Sequence, residues 1–244
     1  MPYLGTIVNV ATIIAGSLVG LVLRRGLSKR IMDTIMHGVS LAVILIGISG
    51  AIKSAFSIAD DTISTNYIML TIVALAVGAL IGELIQIERG IESFGRFFEK
   101  KLSQTGEPST FAQGFVTATI VFCVGSMAIV GALEDGINSN SEILFAKSML
   151  DGITSMIFAS TMGLGVLFSA IAVGVYQGMI TLLSIFIAPY LTGVVITQIS
   201  LVGSVLIMAI GFNMLSVTKI KVGNLLPAIF IPVVYNVILQ LFTG

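Results

Sequence analysis

Apolar residues fall in long unbroken runs along this chain rather than in alternation. The stretch YLGTIVNVATIIAGSLVGLVL, residues 3–23, carries no charge, and comparable runs cover 35–55, 67–87, 111–133, 142–163, 166–188, 195–217 and 223–243. Each is about 20 residues long, the length an α-helix needs to cross the hydrocarbon of a bilayer. The pattern predicts an all-α fold, a polytopic transmembrane helical bundle of about eight spans. Residues 144–192 are nearly continuous, so the turn near Met162–Gly165 fits a re-entrant hairpin as well as two full spans, and seven is the competing count.

Charge orients the runs. Arg24, Arg25, Lys29 and Arg30 follow the first run, and Arg89–Lys101 follows the third. Basic connectors face the cytoplasm. The connector EDGINSNSE, residues 134–142, has acids and no Lys or Arg, which suits the outside, and Lys219 and Lys221 return the chain to the inside. Three crossings between those two connectors give eight spans with both termini outside the cell. The first run is not preceded by a basic residue, as a cleaved leader would be, so it reads as a retained helix. Between spans three and four, Ile91, Phe94, Phe98 and Leu102 recur at helical spacing among charges. This pattern predicts a short interfacial helix over 88–103, or a charged extension of span three.

Composition agrees with lipid as the solvent. Hydrophobic residues make up 56% and charged residues 10% of the chain, with a mean hydropathy of +1.09. Soluble domains average about 25% charged residues, and here no charged residue or His lies between Asp151 and Lys219. A net charge of zero offers nothing to nucleic acid. One His and one Cys, Cys123, exclude an internal disulfide and argue against a metal site.

Two hairpins look duplicated. AGSLVGLVLRRG holds Gly16 and Gly20; VGALIGELIQIERG holds Gly78 and Gly82, and each pair precedes a basic segment. Residues 1–55 and 66–136 are therefore candidate parallel hairpin repeats within a single integral membrane domain. Small residues four apart let helix backbones approach closely, within one chain or between copies, so a homo-oligomer is compatible with the pattern.

Candidate chemistry centres on Asp151, ten residues into span five and thus roughly 15 Å deep at 1.5 Å per residue. A charge at that depth needs a partner or a wet cavity. Lys147 lies one helical turn before it and is the expected partner; the alternative is a self-neutralising pair with Lys147 turned toward the headgroups. Gln177, Asn213 and Asn236, with Asn9, are polar positions inside spans that would suit a solute or ion path. Glu134 and Asp135 form a candidate outer vestibule or a solvated loop, and Glu83 lies near the headgroups. Gly125, Gly131, Gly163, Gly165, Gly174, Gly178, Pro227 and Pro232 predict broken helices, whose freed backbone groups bind solutes in transporters. No nucleophile elbow, HExxH or phosphate-binding loop occurs, so an enzyme is not expected, nor is any cofactor.

The segments CVGSMAIVGALEDGI (123–137), KSMLDGITSMIFASTMGLGVLFSA (147–170), VYQG (175–178) and KVGNLLPA (221–228) resemble the YdfK/YqgA-type family of bacterial inner-membrane proteins, known as domain of unknown function 554. The resemblance covers essentially the whole chain. It implies a multi-pass bacterial inner-membrane location and no particular activity. It also directs attention to Asp151, Gly152, Gln177, Gly178, Asn224 and Pro227. The expectation is a small secondary transporter or channel for a small polar or cationic solute, with a non-transporting scaffold or sensor subunit as the rival.

Overall fold

In lipid no water is available to backbone groups, so a crossing chain must satisfy its own amides and carbonyls, and the helix does so within one segment. The computed structural model describes residues 3–26, 28–59, 62–90, 93, 111–123 and 126–243. Its helices are α1 (Leu4–Gly26), α2 (Lys29–Ala55), α3 (Ile68–Ile85), α4 (Phe111–Cys123), α5 (Ser126–Ile137), α6 (Glu142–Met162), α7 (Leu164–Ile187), α8 (Gly193–Met214), α9 (Val222–Leu225) and α10 (Ile231–Thr243), the last two joined by a 3₁₀ turn over Leu226–Phe230. A hairpin that hydrophobic runs do not reveal, β1 (Phe56–Ala59) and β2 (Thr62–Thr65), links α2 to α3. Ser57 and Ser64 share a 2.8 Å hydrogen bond across it. The interfacial helix expected over 88–103 lies almost wholly outside the described residues.

Polarity is arranged inside out. Leu84, Ile185 and Phe186 are about three-quarters exposed, whereas Asn9, Ser17, Ser40, Ser155, Ser169 and Gln177 are fully buried. A water-soluble domain sorts these residue types the other way. The chain is a membrane protein: among the described residues, seven helices and one bent pair are long and apolar enough to cross.

The helices fall into two compact units interleaved along the chain: one holds α1, α4, α5, α6 and α7, and the other holds α2 from Ser40, the β hairpin, α3, α8, α9 and α10. Neither candidate hairpin repeat is a unit by itself, because α1 and α2 pack on different, sequence-distant partners. In the first unit α1 runs parallel to α6. Gly5 meets Leu144, Gly16 meets the Gly152 carbonyl and Ser155 Oγ, and Gly20 meets the Met156 carbonyl, each too close for a Cβ. In the second unit α3 runs antiparallel to the final segment, with Gly78 against Ala228 and Gly82 against the Asn224 carbonyl. There α2 is likewise antiparallel to α8, with Gly47 against Met208 and Gly50 against Ser204.

These directions fix the crossing count. Two helices that cross the same way are separated by an odd number of crossings. Between α1 and α6 lie α2, α3 and the bent pair α4–α5, so the bent pair must be one broken crossing rather than a loop that turns back. Its packing agrees. Phe111 and Phe115 at the start of α4 touch Gly165 at the start of α7, while Gly136 near the end of α5 touches Thr181 and Ser184 near the end of α7. With seven unbroken spans and this broken one, the described residues make eight crossings. The doubtful turn of the sequence reading resolves as two full helices of 21 and 24 residues. They are separated only by Gly163 at φ 79°, a left-handed conformation that glycine adopts without steric cost.

Candidate functional site

One face of α6 is polar and buried. Ser141 at its N-cap and then Ser148, Asp151 and Ser155 recur at spacings of seven, three and four, Lys147 lies four before Asp151, and all are buried. Residues three and four apart share a helix face, so this stripe turns toward α1, α4 and α7 instead of lipid.

Asp151 is 7% exposed and Lys147 6%, and the two are in direct ion-pair contact one turn apart. Lys147 does not snorkel: its Nζ lies 5.9 Å from the centroid of the Phe122 ring on α4, within cation–π range. Asn9 of α1 completes the arrangement. Its Nδ2 donates to Asp151 Oδ2 at 3.0 Å and to Gln177 Oε1 of α7 at 3.3 Å. Asn9 and Lys147 thus hold the carboxylate directly, and α7 and α4 reach it through them.

The network is only half satisfied. Asn9 Oδ1 and Gln177 Nε2 are buried without a hydrogen-bond partner, as are Thr6 Oγ1 and Ser17 Oγ on α1. Leaving a buried donor or acceptor unpaired costs about 1–3 kcal/mol. The two amide orphans are complementary, one acceptor and one donor, and both flank the ion pair.

Other expected site residues lie elsewhere. Asn213 and Asn236 belong to the second unit, not to the Asp151 network. Asn213 Oδ1 accepts from the Ile220 amide at 2.9 Å and its Nδ2 donates to the Ile220 carbonyl at 2.7 Å, closing the α8–α9 loop. Asn236 Nδ2 donates to Gln198 Oε1 and to the Pro232 carbonyl, both at 2.7 Å, so it occupies the proline's own carbonyl. The vestibule pair separates too. Glu134 accepts from Asn138 at 2.8 Å in the loop, whereas Asp135, one residue on and about 100° round the helix, is fully buried against Ser141.

A second polar cluster forms where α3 meets the KVGN segment. Lys221 pairs with Glu83 at 2.7 Å, Asn224 Nδ2 donates to Glu83 Oε2 at 2.5 Å, and Glu88 accepts from the Gly223 amide at 2.6 Å. The carboxylate of Glu88 thereby satisfies a free amide at the start of α9. The sequence marks Asn9 only as a polar residue in a span and does not single out Glu88 or Gln198, because nothing local reveals partners 135 and 38 residues away.

The model of a family described as a protein of unknown function (DUF554) matches residues 4–237. The uncharacterized membrane protein YdfK of Bacillus subtilis (strain 168) is 33% identical over 238 residues, covering 98% of this chain and 97% of the relative. The uncharacterized protein YqgA of Escherichia coli (strain K12) is 28% identical over 235 residues, covering 93% and 94%. No solved structure matches the chain.

Proposed function

Since the chain belongs to the family of unknown function DUF554, we propose a function from the site alone: a small secondary transporter or channel that moves a small polar or cationic solute. The observation that carries this reading is the pair of fully buried amides, Asn9 and Gln177, each with one unpartnered atom beside the Asp151–Lys147 ion pair. A packing network would close those hydrogen bonds on itself. A solute that both donates and accepts would complete them.

Lys147 gives the carboxylate two states. When a cationic or strongly polar solute takes Asp151, the ammonium shifts toward the face of Phe122, already 5.9 Å away. The broken span α4–α5 lines the same unit, and breaks of this kind let backbone groups reach solutes at membrane depth. The bilayer and the solute are the partners on this reading, the membrane is the bacterial inner one, both termini face outward, and neither an enzymatic step nor an organic cofactor takes part.

The rival reading, a scaffold or sensor subunit without flux, draws on the burial of Asp151 and its direct pairing with Lys147. Asp151→Asn separates the two. For a transporter, flux into liposomes is abolished while detergent melting falls only modestly. For a scaffold, the stranded Lys147 lowers stability by about 3–5 kcal/mol. A melting loss rescued by adding Lys147→Met, with any flux unaltered, would falsify the transport assignment.

A further inference from the structure

Among the described residues, the buried charged side chains are Asp135, Lys147 and Asp151. All belong to the unit of α1, α4, α5, α6 and α7. Lys147 and Asp151 neutralise each other by contact, which leaves Asp135 as an excess of one negative charge. Asp135 is 0% exposed. Its Oδ1 accepts from Ser141 Oγ at 2.5 Å, and its Oδ2 has no hydrogen-bond partner.

Two features make this placement costly as it stands. An ionised carboxylate withdrawn from water needs a countercharge or a full set of donors, and one hydroxyl is not a full set. Asp135 also sits in the last turn of α5, which ends at Ile137. The negative end of the helix dipole repels an anion there and attracts a cation.

We infer that Asp135 binds a monovalent cation, with sodium matching its ligand chemistry. The charge selects the valence: one positive charge cancels the buried excess, whereas a divalent ion would replace it with an excess of opposite sign. The atoms select a hard ion, since the carboxylate and the one side chain bonded to it, Ser141, both present oxygens. Ser141 Oγ is in contact. On α7, Ser184 and Thr181 are 2% and 4% exposed. The neighbouring Gly136 is packed so tightly on Ser184 Oγ and the Thr181 carbonyl that a Cβ there would lie 2.6 Å from the latter. Thr181 Oγ1 donates to the Ala132 carbonyl at 3.2 Å, holding α5 to α7 beside the site. Carboxylate, hydroxyl and carbonyl oxygens suit hard cations rather than soft ones.

The site rests on burial and charge and stands whether or not Asp151 carries a solute. The test is thermal melting of the purified full-length protein in detergent, with sodium chloride replaced by choline chloride at equal ionic strength and pH. A ligand bound only by the folded state raises the melting temperature with concentration. Sodium raises it by several degrees in the unaltered protein and in Asp151→Asn, and has no effect in Asp135→Asn. If Asp135→Asn does not fold, Ser141→Ala keeps the carboxylate and raises the half-maximal sodium concentration several-fold. Equal melting in the two salts overturns the inference, as does an unchanged midpoint in Ser141→Ala. A sodium shift lost in Asp151→Asn instead moves the ion to the other carboxylate and overturns it too. Stabilisation by acid in sodium-free buffer, with no sodium effect, assigns the balancing charge to a proton and also overturns it.

Discussion

At the scale of single residues, Asn9 and Gln177 behave differently on deletion because their remaining atoms differ. Asn9 Nδ2 bridges Asp151 and Gln177. Asn9→Leu therefore takes one donor from the carboxylate and strands Gln177 Oε1, and lowers stability by about 1–3 kcal/mol, read as a fall in melting temperature. Gln177→Leu removes an unpartnered Nε2 along with its Oε1 and leaves Asn9 bonded to Asp151. Its melting should be unchanged or raised, while liposome flux falls sharply; flux retained at a raised melting temperature would make Gln177 a packing residue. The Lys147–Asp151 pair was legible because spacing on a helix is local information. The direction of Lys147 was not, since it depends on Phe122 from another helix. The partners of Asn213 and Asn236 were not legible for the same reason: a polar residue inside a run announces a hydrogen bond without saying to whom.

At the scale of elements, the glycine pairs decide how near two helices lie. Gly20 packs on the Met156 carbonyl and 3.0 Å, by its missing Cβ, from the Ala159 methyl; Gly82 packs on the Asn224 carbonyl. Backbone cannot yield as a side-chain tip does, so Gly20→Leu and Gly82→Leu should each cost at least the ~1–3 kcal/mol of an overpacked site. Gly38, exposed within α2 with nothing within 4 Å of an added Cβ, is the control. Gly38→Ala should stabilise by about 0.5–1 kcal/mol through helix propensity. Melting of the three variants side by side checks the ordering, and a Gly20→Leu protein as stable as Gly38→Ala would remove the packing role. Spacing of four exposed these pairs in the sequence. It did not reveal that α1 meets its partner in parallel and α3 in antiparallel fashion, because direction is set by the count of intervening crossings.

At the scale of the whole chain, the apolar runs were long enough to place seven helices within a few residues, and the eighth crossing was legible as one run, 111–133, with a break expected at Gly125. The break between Cys123 and Ser126 follows from CVGS, where glycine is a poor helix former, but composition does not say whether a broken helix crosses or turns back. The parallel pairing of α1 with α6 does, and it makes a labelling prediction. Single cysteines at Ser28, Ser139 and Ser216, in a Cys123→Ala background, mark the ends of crossings one, four and seven, and all three positions are exposed. Four crossings put Ser139 opposite Ser28, and three more bring Ser216 back to the side of Ser28. With the basic connectors in the cytoplasm, an impermeant thiol reagent added to intact cells should label Ser139→Cys alone. A turned-back α4–α5 would reverse two of the three results, protecting Ser139→Cys and exposing Ser216→Cys. Labelling of Ser28→Cys and Ser216→Cys with protection of Ser139→Cys would instead keep the eight crossings and invert the chain in the membrane.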